Sequence, residues 1–322
     1  MSLCHPSHVP RLTCPSTEVA QAALARSLEH ADNTLDRELC RMEYKRLILE
    51  KEGHIATVTF NRPQSANAFD FLLMEEIDHV FRDNLDKDDD VRAIVLTGSG
   101  RHFSAGVDLS MFASSDAQVD KEELDQGVAS SRVGEQEEDV PWGKGTVVGA
   151  VVVIRNMLKP VIAAVNGPAA GMGVSFALAC DIRIASENAR FSMMFVKRGL
   201  APDTGGSFTL PRIVGWPKAY ELLLTGETVD AQEALRIGLV SKVVPPDELL
   251  PAAKELANKI AKNPPLAVGA NKQSLLHSAT VTDIIDQMKI EIDLQDKMLR
   301  TEDFQEAAAA FLEKREPVFK GR

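Results

Sequence analysis

Strands that alternate with helices, followed by a stretch of helices alone, predict an α/β or α+β fold for this 322-residue chain. Three observations carry that expectation. Apolar residues alternate or run in short blocks near residues 44–60, 91–97, 161–165, 181–185 and 240–244, the patterns of half-buried and fully buried strands. Between and after these blocks they recur at helical spacing. Hydrophobic residues are 44% and charged residues 26% of the chain. That balance excludes a disordered, collagen-like or coiled-coil protein and leaves ample material for a large core.

The elements follow in order. Residues 1–42 read as an extension broken by Pro6, Pro10 and Pro15, with a helix that Thr17 caps through Ala20, Ala23 and Leu28. Residues 44–60 predict a β-hairpin turning at Gly53 and ending at Asn61-Arg62-Pro63. Leu72, Leu73, Ile77, Val80 and Phe81 give 69–85 an amphipathic helix. Val91 to Thr97 is a strand bounded by Gly98 and Gly100. The runs 161–165 and 181–185 predict buried strands around a small-residue helix near 171–179. A short strand at 189–192, a Gly/Pro loop and a helix from about Gly205 come next. After the 240–244 strand, four helices are expected at 249–261, 265–278, 282–298 and 304–312, each near a Ser, Thr, Asp or Pro start signal.

Charge and cysteine content narrow the function. The net charge is −11, from 47 acids and 36 bases. A phosphate backbone repels such a surface, so nucleic acid is not an expected partner. Nine acids and two bases fall between Ser114 and Val140, so most of the excess sits in one solvated segment. The remainder is near neutral and has room for a small anionic ligand at one local site. Cys4, Cys14, Cys40 and Cys180 fit neither a zinc site nor a redox pair, and the histidines are scattered. No apolar run reaches the ~18 residues of a membrane helix. The chain carries no secretory leader pattern and does not end in Ser-Lys-Leu, and reads as soluble and intracellular with the organelle open.

Two Gly-rich loops are the chemical candidates. Ser104-Ala105-Gly106-Val107-Asp108-Leu109 follows one strand, and Asn166 to Gly173 follows another. Each leads into a helix, and free N–H groups at a helix start attract anions. Either the glycines only make tight strand-to-helix turns, or the two loops aim one N–H each at a single oxygen, an oxyanion hole.

Taken together, Asn61-Arg62-Pro63 with Asn67-Ala68, Phe103 to Leu109, Lys159 to Gly167, Cys180-Asp181, Gly199 to Asp203 and the tail Phe311 to Pro317 resemble the crotonase, or enoyl-CoA hydratase/isomerase, superfamily. The resemblance runs from about Glu43 to Phe319. It implies a crotonase (ClpP-like) spiral of ββα turns at 43–245 and a helical trimerisation region at 246–322. It implies an acyl-CoA substrate, with coenzyme A entering only as part of that substrate, no other cofactor and no metal, in a homotrimer or a hexamer built as a dimer of trimers. Val107 and Met172 fall on the oxyanion-hole positions. Ala66, Ala68, Ala105, Gly106, Asp108, Leu109 and Gly171 fall on the substrate-binding positions, and Ser175, Phe195 and Pro202 on the acyl pocket.

The departures from the family pattern point to a reaction. Family hydratases place two glutamates where this chain has Ser175 and Phe195, and neither side chain serves as acid or base at neutral pH. Some members that shift double bonds resemble this chain in carrying their acid at the Asp203 position. The expected activity is therefore a 3-enoyl-CoA to 2-enoyl-CoA shift with Asp203 as the proton carrier. The alternatives are a hydratase using Asp203 and a bound water, and a non-catalytic CoA-binding relative. Asp203 also has the sequence context of a helix N-cap. His102 reads as a turn residue, Asp108 as a cap or backbone contact, and Asp181 as structural. Lys272 and Lys314 are candidate partners of CoA phosphates, and 114–140 with Trp142 reads as a cover over the acyl pocket.

Overall fold

The computed structural model describes residues 44–113 and 147–322. The readings of the N-terminal extension, of its helix from Thr17 and of the acidic cover with Trp142 fall outside these residues. Strands β1 (Leu47–Glu52), β2 (Ile55–Phe60) and β3 (Ala93–Gly98) precede β4 (Val161–Val165), β5 (Pro168–Ala170), β6 (Ile182–Ser186), β7 (Arg190–Ser192), β8 (Thr228–Asp230) and β9 (Lys242–Val244). Helices α1 (Phe71–His79), α2 (Ser110–Ala113), α3 (Val147–Asn156), α4 (Met172–Ala179), α5 (Gly206–Val214), α6 (Trp216–Thr225) and α7 (Ala231–Arg236) lie among them. The end of the chain is α8 (Leu249–Ala261), α9 (Pro265–Ser278), α10 (Ile284–Met298) and α11 (Glu302–Glu313).

Six strands form one sheet in the order β1-β2-β3-β4-β6-β9, and three form a second in the order β5-β7-β8. The hairpin β1–β2 is antiparallel, with Leu47 opposite Phe60 and Glu52 opposite Ile55. Every other neighbour in the large sheet is parallel. Each parallel step needs a crossover, and the crossovers bring the small sheet and the helices against the large one.

The alternation in β2 predicts one polar face, yet Thr57 is buried along with Ala56, Val58 and Phe60. The reason is a helix on each side. Ile94 and Leu96 join the larger apolar cluster, while Ala93 and Val95 join a second cluster with Leu249, Ala253 and Ala257 of α8. Alanine at every fourth position lets α8 lie close along β2, β3 and β4. On the other face Phe60 meets the rings of Phe69, Phe103 and Phe176 at centroid separations of 5.3, 5.5 and 6.2 Å. All four rings are fully buried, each worth about 1.5–3 kcal/mol of transfer free energy. Phe69 and Phe103 belong to the loops that leave β2 and β3, and Phe176 to α4, so the ring cluster anchors those loops on the sheet.

The single helix expected over 69–85 is an α-helix to His79 continued by a wider π-turn over Val80–Leu85. Leu73, Ile77, Phe81 and Leu85 are all fully buried at a four-residue spacing. That spacing drifts by about 40° per step on a regular α-helix, and the wider turn takes the drift back. The sequence pattern did not reveal α6, α7 or β8, and it read β5 as part of a loop.

Candidate active site

The loops beyond the carboxyl ends of β3 and β4 build the site, the usual place for a ligand in an open parallel sheet. Three segments are stitched edge to edge there. Ala105 N donates to Ala66 O at 2.9 Å, Phe69 N to Gly106 O at 2.8 Å, and Asp108 N to Phe69 O at 3.0 Å. Ala170 N donates to Ser104 O at 2.9 Å, and Gly171 N to Ser192 O at 2.8 Å. The Ser104 hydroxyl donates to Asn67 O and accepts from Gly106 N.

Asn67 holds the first segment in place. It is fully buried in a left-handed conformation, φ 54°. Its Oδ1 accepts from Arg62 N, and its Nδ2 donates to Ser99 O and His102 O. An amide side chain suits this position, because it bonds locally and tolerates positive φ. Gly106 needs its freedom for two reasons. Its φ is +86°, and a Cβ there would lie 2.7 Å from Ala170 O. Gly171, at φ 50° and ψ −119°, turns the chain sharply into α4.

These constraints leave the amides of Val107 and Met172 beside the cleft without a bond. Val107 N–H and Met172 N–H have no acceptor among the described residues. Val107 lies between Gly106 and Asp108, whose N–H groups are both taken, so its own faces the opposite side of the strand. Met172 is the first residue of α4, where an N–H has no intrahelical partner. Both residues line one apolar cleft of about 450 Å³.

The same cleft takes in Ala68, Ala105, Gly106, Asp108, Leu109, Gly171 and Phe195 of the expected site residues. Ser110, Ala170, Met194, Arg198 and Leu200 also line it. Of these, Leu200 is half exposed, an apolar signal that the loop sequence carries on its own. Ala66, Ser175, Pro202 and Asp203 are not lining residues. Ala66 contributes its carbonyl to the stitching. Ser175 is fully buried, and its hydroxyl has no hydrogen-bond partner among the described residues. It faces Gly206, where a Cβ would come within 2.9 Å of Ser175 Oγ and 2.6 Å of Met193 Cε.

Asp108, which lines the cleft, and Asp203, three residues beyond the cleft-lining Leu200, are tuned in opposite directions. The Ser110 hydroxyl and the Arg62 guanidinium hold Asp108 below the usual carboxylate range. Arg62 Nη2 donates to Asp108 Oδ2 at 3.0 Å, and Nη1 to Ala68 O at 2.6 Å. Burial pushes Asp203 up, against smaller opposing hydrogen bonds. Asp203 is nevertheless an exposed residue, so solvent screens part of that effect. It does not cap α5: the cap is Gly205 at φ 75°, with no side-chain bond to the helix. The two glycines turn the chain, and the carboxyl is left free of that task. Lys272 does not face a phosphate either. It is buried, with Nζ 2.8 Å from Asp181 Oδ2, and Asp181 in turn accepts from Val161 N.

The family model for enoyl-CoA hydratase/isomerase matches residues 50–322. The chain belongs to the enoyl-CoA hydratase/isomerase family. It is 41% identical over 277 residues to a short-chain-enoyl-CoA hydratase of Clostridium acetobutylicum, covering 85% of this chain and 97% of that one. It is 35% identical over 280 residues to the 1,2-epoxyphenylacetyl-CoA isomerase of Escherichia coli, covering 84% of this chain and 97% of the relative. The crystal structure of an enoyl-CoA hydratase from Bacillus anthracis superposes with a TM-score of 0.76 at 31% identity, over 86% of this chain and all of that one. The fold of this enoyl-CoA hydratase/isomerase family member is therefore the expected crotonase fold, with its C-terminal helices in place. Among the described residues no helix is long and apolar enough to cross a membrane.

Proposed function

We propose that this enzyme shifts a double bond in an acyl-CoA thioester, from the 3-enoyl to the 2-enoyl position, with Asp203 as the proton carrier. One observation carries the reading: Asp203 follows the cleft-lining Leu200 by three residues and its carboxyl is pushed up by desolvation, while Ser175 and Phe195 stand at the family's glutamate positions. The thioester binds along Ala68, Ala105, Gly106, Asp108, Leu109 and Gly171, and its acyl chain packs on Phe195. Asp203 takes a C2 proton, the electron pair moves onto the thioester oxygen, and Val107 N–H and Met172 N–H hold that oxyanion. The conjugate acid returns a proton to C4 as the double bond re-forms between C2 and C3. A pair of fixed donors of this kind lowers the barrier by ~3–4 kcal/mol per donor. One carboxyl suffices, because the same group gives back what it removed. No further cofactor enters.

The names of the hydratase relatives favour a second reading, in which Asp203 activates a water that adds across a 2-enoyl thioester. A panel of 3-enoyl- and 2-enoyl-CoA substrates separates the two. Conversion of 3-enoyl-CoA without hydration of crotonyl-CoA supports the isomerase. Hydration of crotonyl-CoA with no shift of 3-enoyl-CoA supports the hydratase. Ser175→Ala costs little in the first case, since Ser175 carries no assigned proton.

We also propose a trimeric assembly unit. Ile284, Ile285, Met288 and Ile292 of α10 and Phe311 and Leu312 of α11 are exposed, a surface that a second copy would cover.

A further inference from the structure

We propose a second ligand site, for a small phosphate-class anion, in the pocket between the C-terminal end of α4 and the face of α9. The pocket is about 260 Å³ and is lined by Arg155, Arg183, Arg212, Lys272 and the carboxyl of Asp181. Helix α4 begins in the acyl cleft at Met172 and ends here at Ala179, so about 12 Å of helix separates the two sites.

Four cations face one carboxylate in a protein whose overall charge is −11. Lys272 and Asp181 neutralise each other at 2.8 Å. Arg183 is committed to the backbone, with Nε donating to Leu239 O and Nη1 to Cys180 O and Ala177 O. Its charge nevertheless remains. Arg155 is half-buried and has no hydrogen-bond acceptor among the described residues. Arg212 makes one bond, from Nη1 to Phe208 O. Both guanidiniums lie over the Phe208 ring, at 5.2 and 3.6 Å from its centroid. Contact with the ring satisfies none of their five N–H donors each. Burial and the neighbouring Arg212 charge push Arg155 down from its ordinary value. Like charges held together at a partly buried site, with donors unspent, are the arrangement that a tetrahedral dianion completes with charge-assisted hydrogen bonds.

The test is calorimetric titration of the full chain with inorganic phosphate and with glycerol 3-phosphate, in buffer matched for ionic strength with chloride. Binding is expected for both probes; equal affinities identify the free ion as occupant, and a tighter phosphomonoester identifies the ester. Arg155→Gln and Arg212→Gln should each raise Kd about ten- to a hundredfold, the loss of one or two charged hydrogen bonds. Arg155→Lys should retain part of the affinity. Arg198→Gln, at the acyl cleft, should leave it unchanged. In phosphate-free buffer Arg155→Gln should melt at or above the wild-type temperature, because it removes a like-charge contact. Absence of binding, a Kd that neither Gln variant moves, an equal loss in Arg198→Gln, or a marked fall in the phosphate-free melting temperature of Arg155→Gln would each overturn the proposal.

Discussion

Arg62 and Asp108, forty-six positions apart, are joined by a 3.0 Å hydrogen-bonded ion pair that ties the first loop of the acyl cleft to the second. The same guanidinium holds Ala68 O and stands 3.3 Å from Asp70, the N-cap of α1. One side chain thus fixes two cleft residues and a helix start. Arg62→Ala leaves Asp108 partly buried without its cation, while Asp70 keeps Arg46 at 3.3 Å, an expected cost of about 1–3 kcal/mol. Arg62→Lys should recover little, because a point charge cannot reach Ala68 O and both carboxylates at once. Denaturant unfolding checks the stability loss, and a KM that rises more than kcat falls checks the positioning role.

Asp203→Asn should abolish the double-bond shift, by about 10²–10⁴-fold in kcat, while acyl-CoA binding changes little. Asn keeps the size of Asp but accepts no proton. The proposed mechanism requires the base form, so activity should rise with pH through the raised Asp203 value. The stability sign is opposite. The folded state disfavours the ionised carboxyl, so Asp203 costs stability as pH climbs from its unfolded value through its folded one. The melting temperature of Asp203→Asn relative to wild type should rise across that window and level off above it. A variant no more stable than wild type above the window would contradict the burial effect.

Gly106→Ala should disable the enzyme without contact with any acyl chain. A Cβ at φ +86° meets Ala170 O at 2.7 Å, so the strand segment carrying Val107 must move away from Met172. Loss of one oxyanion donor corresponds to about 10²–10³-fold in kcat. The backbone strain adds about 1–3 kcal/mol of lost stability. Single-turnover kinetics with thermal melting separates these effects.

Light scattering at micromolar concentration should give three or six subunits. Replacing Ile284, Ile285 and Ile292 by Ser should shift the protein toward smaller species and improve their solubility. A wild-type monomer would remove the reason for that apolar surface.

Cys180 should be inert in the folded protein. It is fully buried, and burial pushes its thiol up to about 12. In a variant with Cys4, Cys14 and Cys40 changed to Ser, a maleimide should label the chain quickly in denaturant and very slowly in buffer.

Much of this molecule is local, and local features can be read along a chain. The hairpin at Gly53, the buried runs of β3 and β4, the α8 to α11 starts and the two Gly-rich turns are each dictated by neighbours within a few residues, through periodicity, capping and positive φ. Tertiary structure decided what depends on distant partners. Thr57 is buried because α8, two hundred residues later, covers its face of the sheet. Lys272 turns inward because Asp181 waits at 2.8 Å. The cluster of Arg155, Arg183 and Arg212 does not exist in the sequence, where the three are separated by 28 and 29 positions. The two free amides of Val107 and Met172 were expected at their positions, but only the folded chain shows that the N–H groups of Gly106, Asp108 and Gly171 are spent and theirs are not. Burial and electrostatic potential are sums over contacts at all sequence separations, whereas periodicity and turn chemistry are sums over a few adjacent residues.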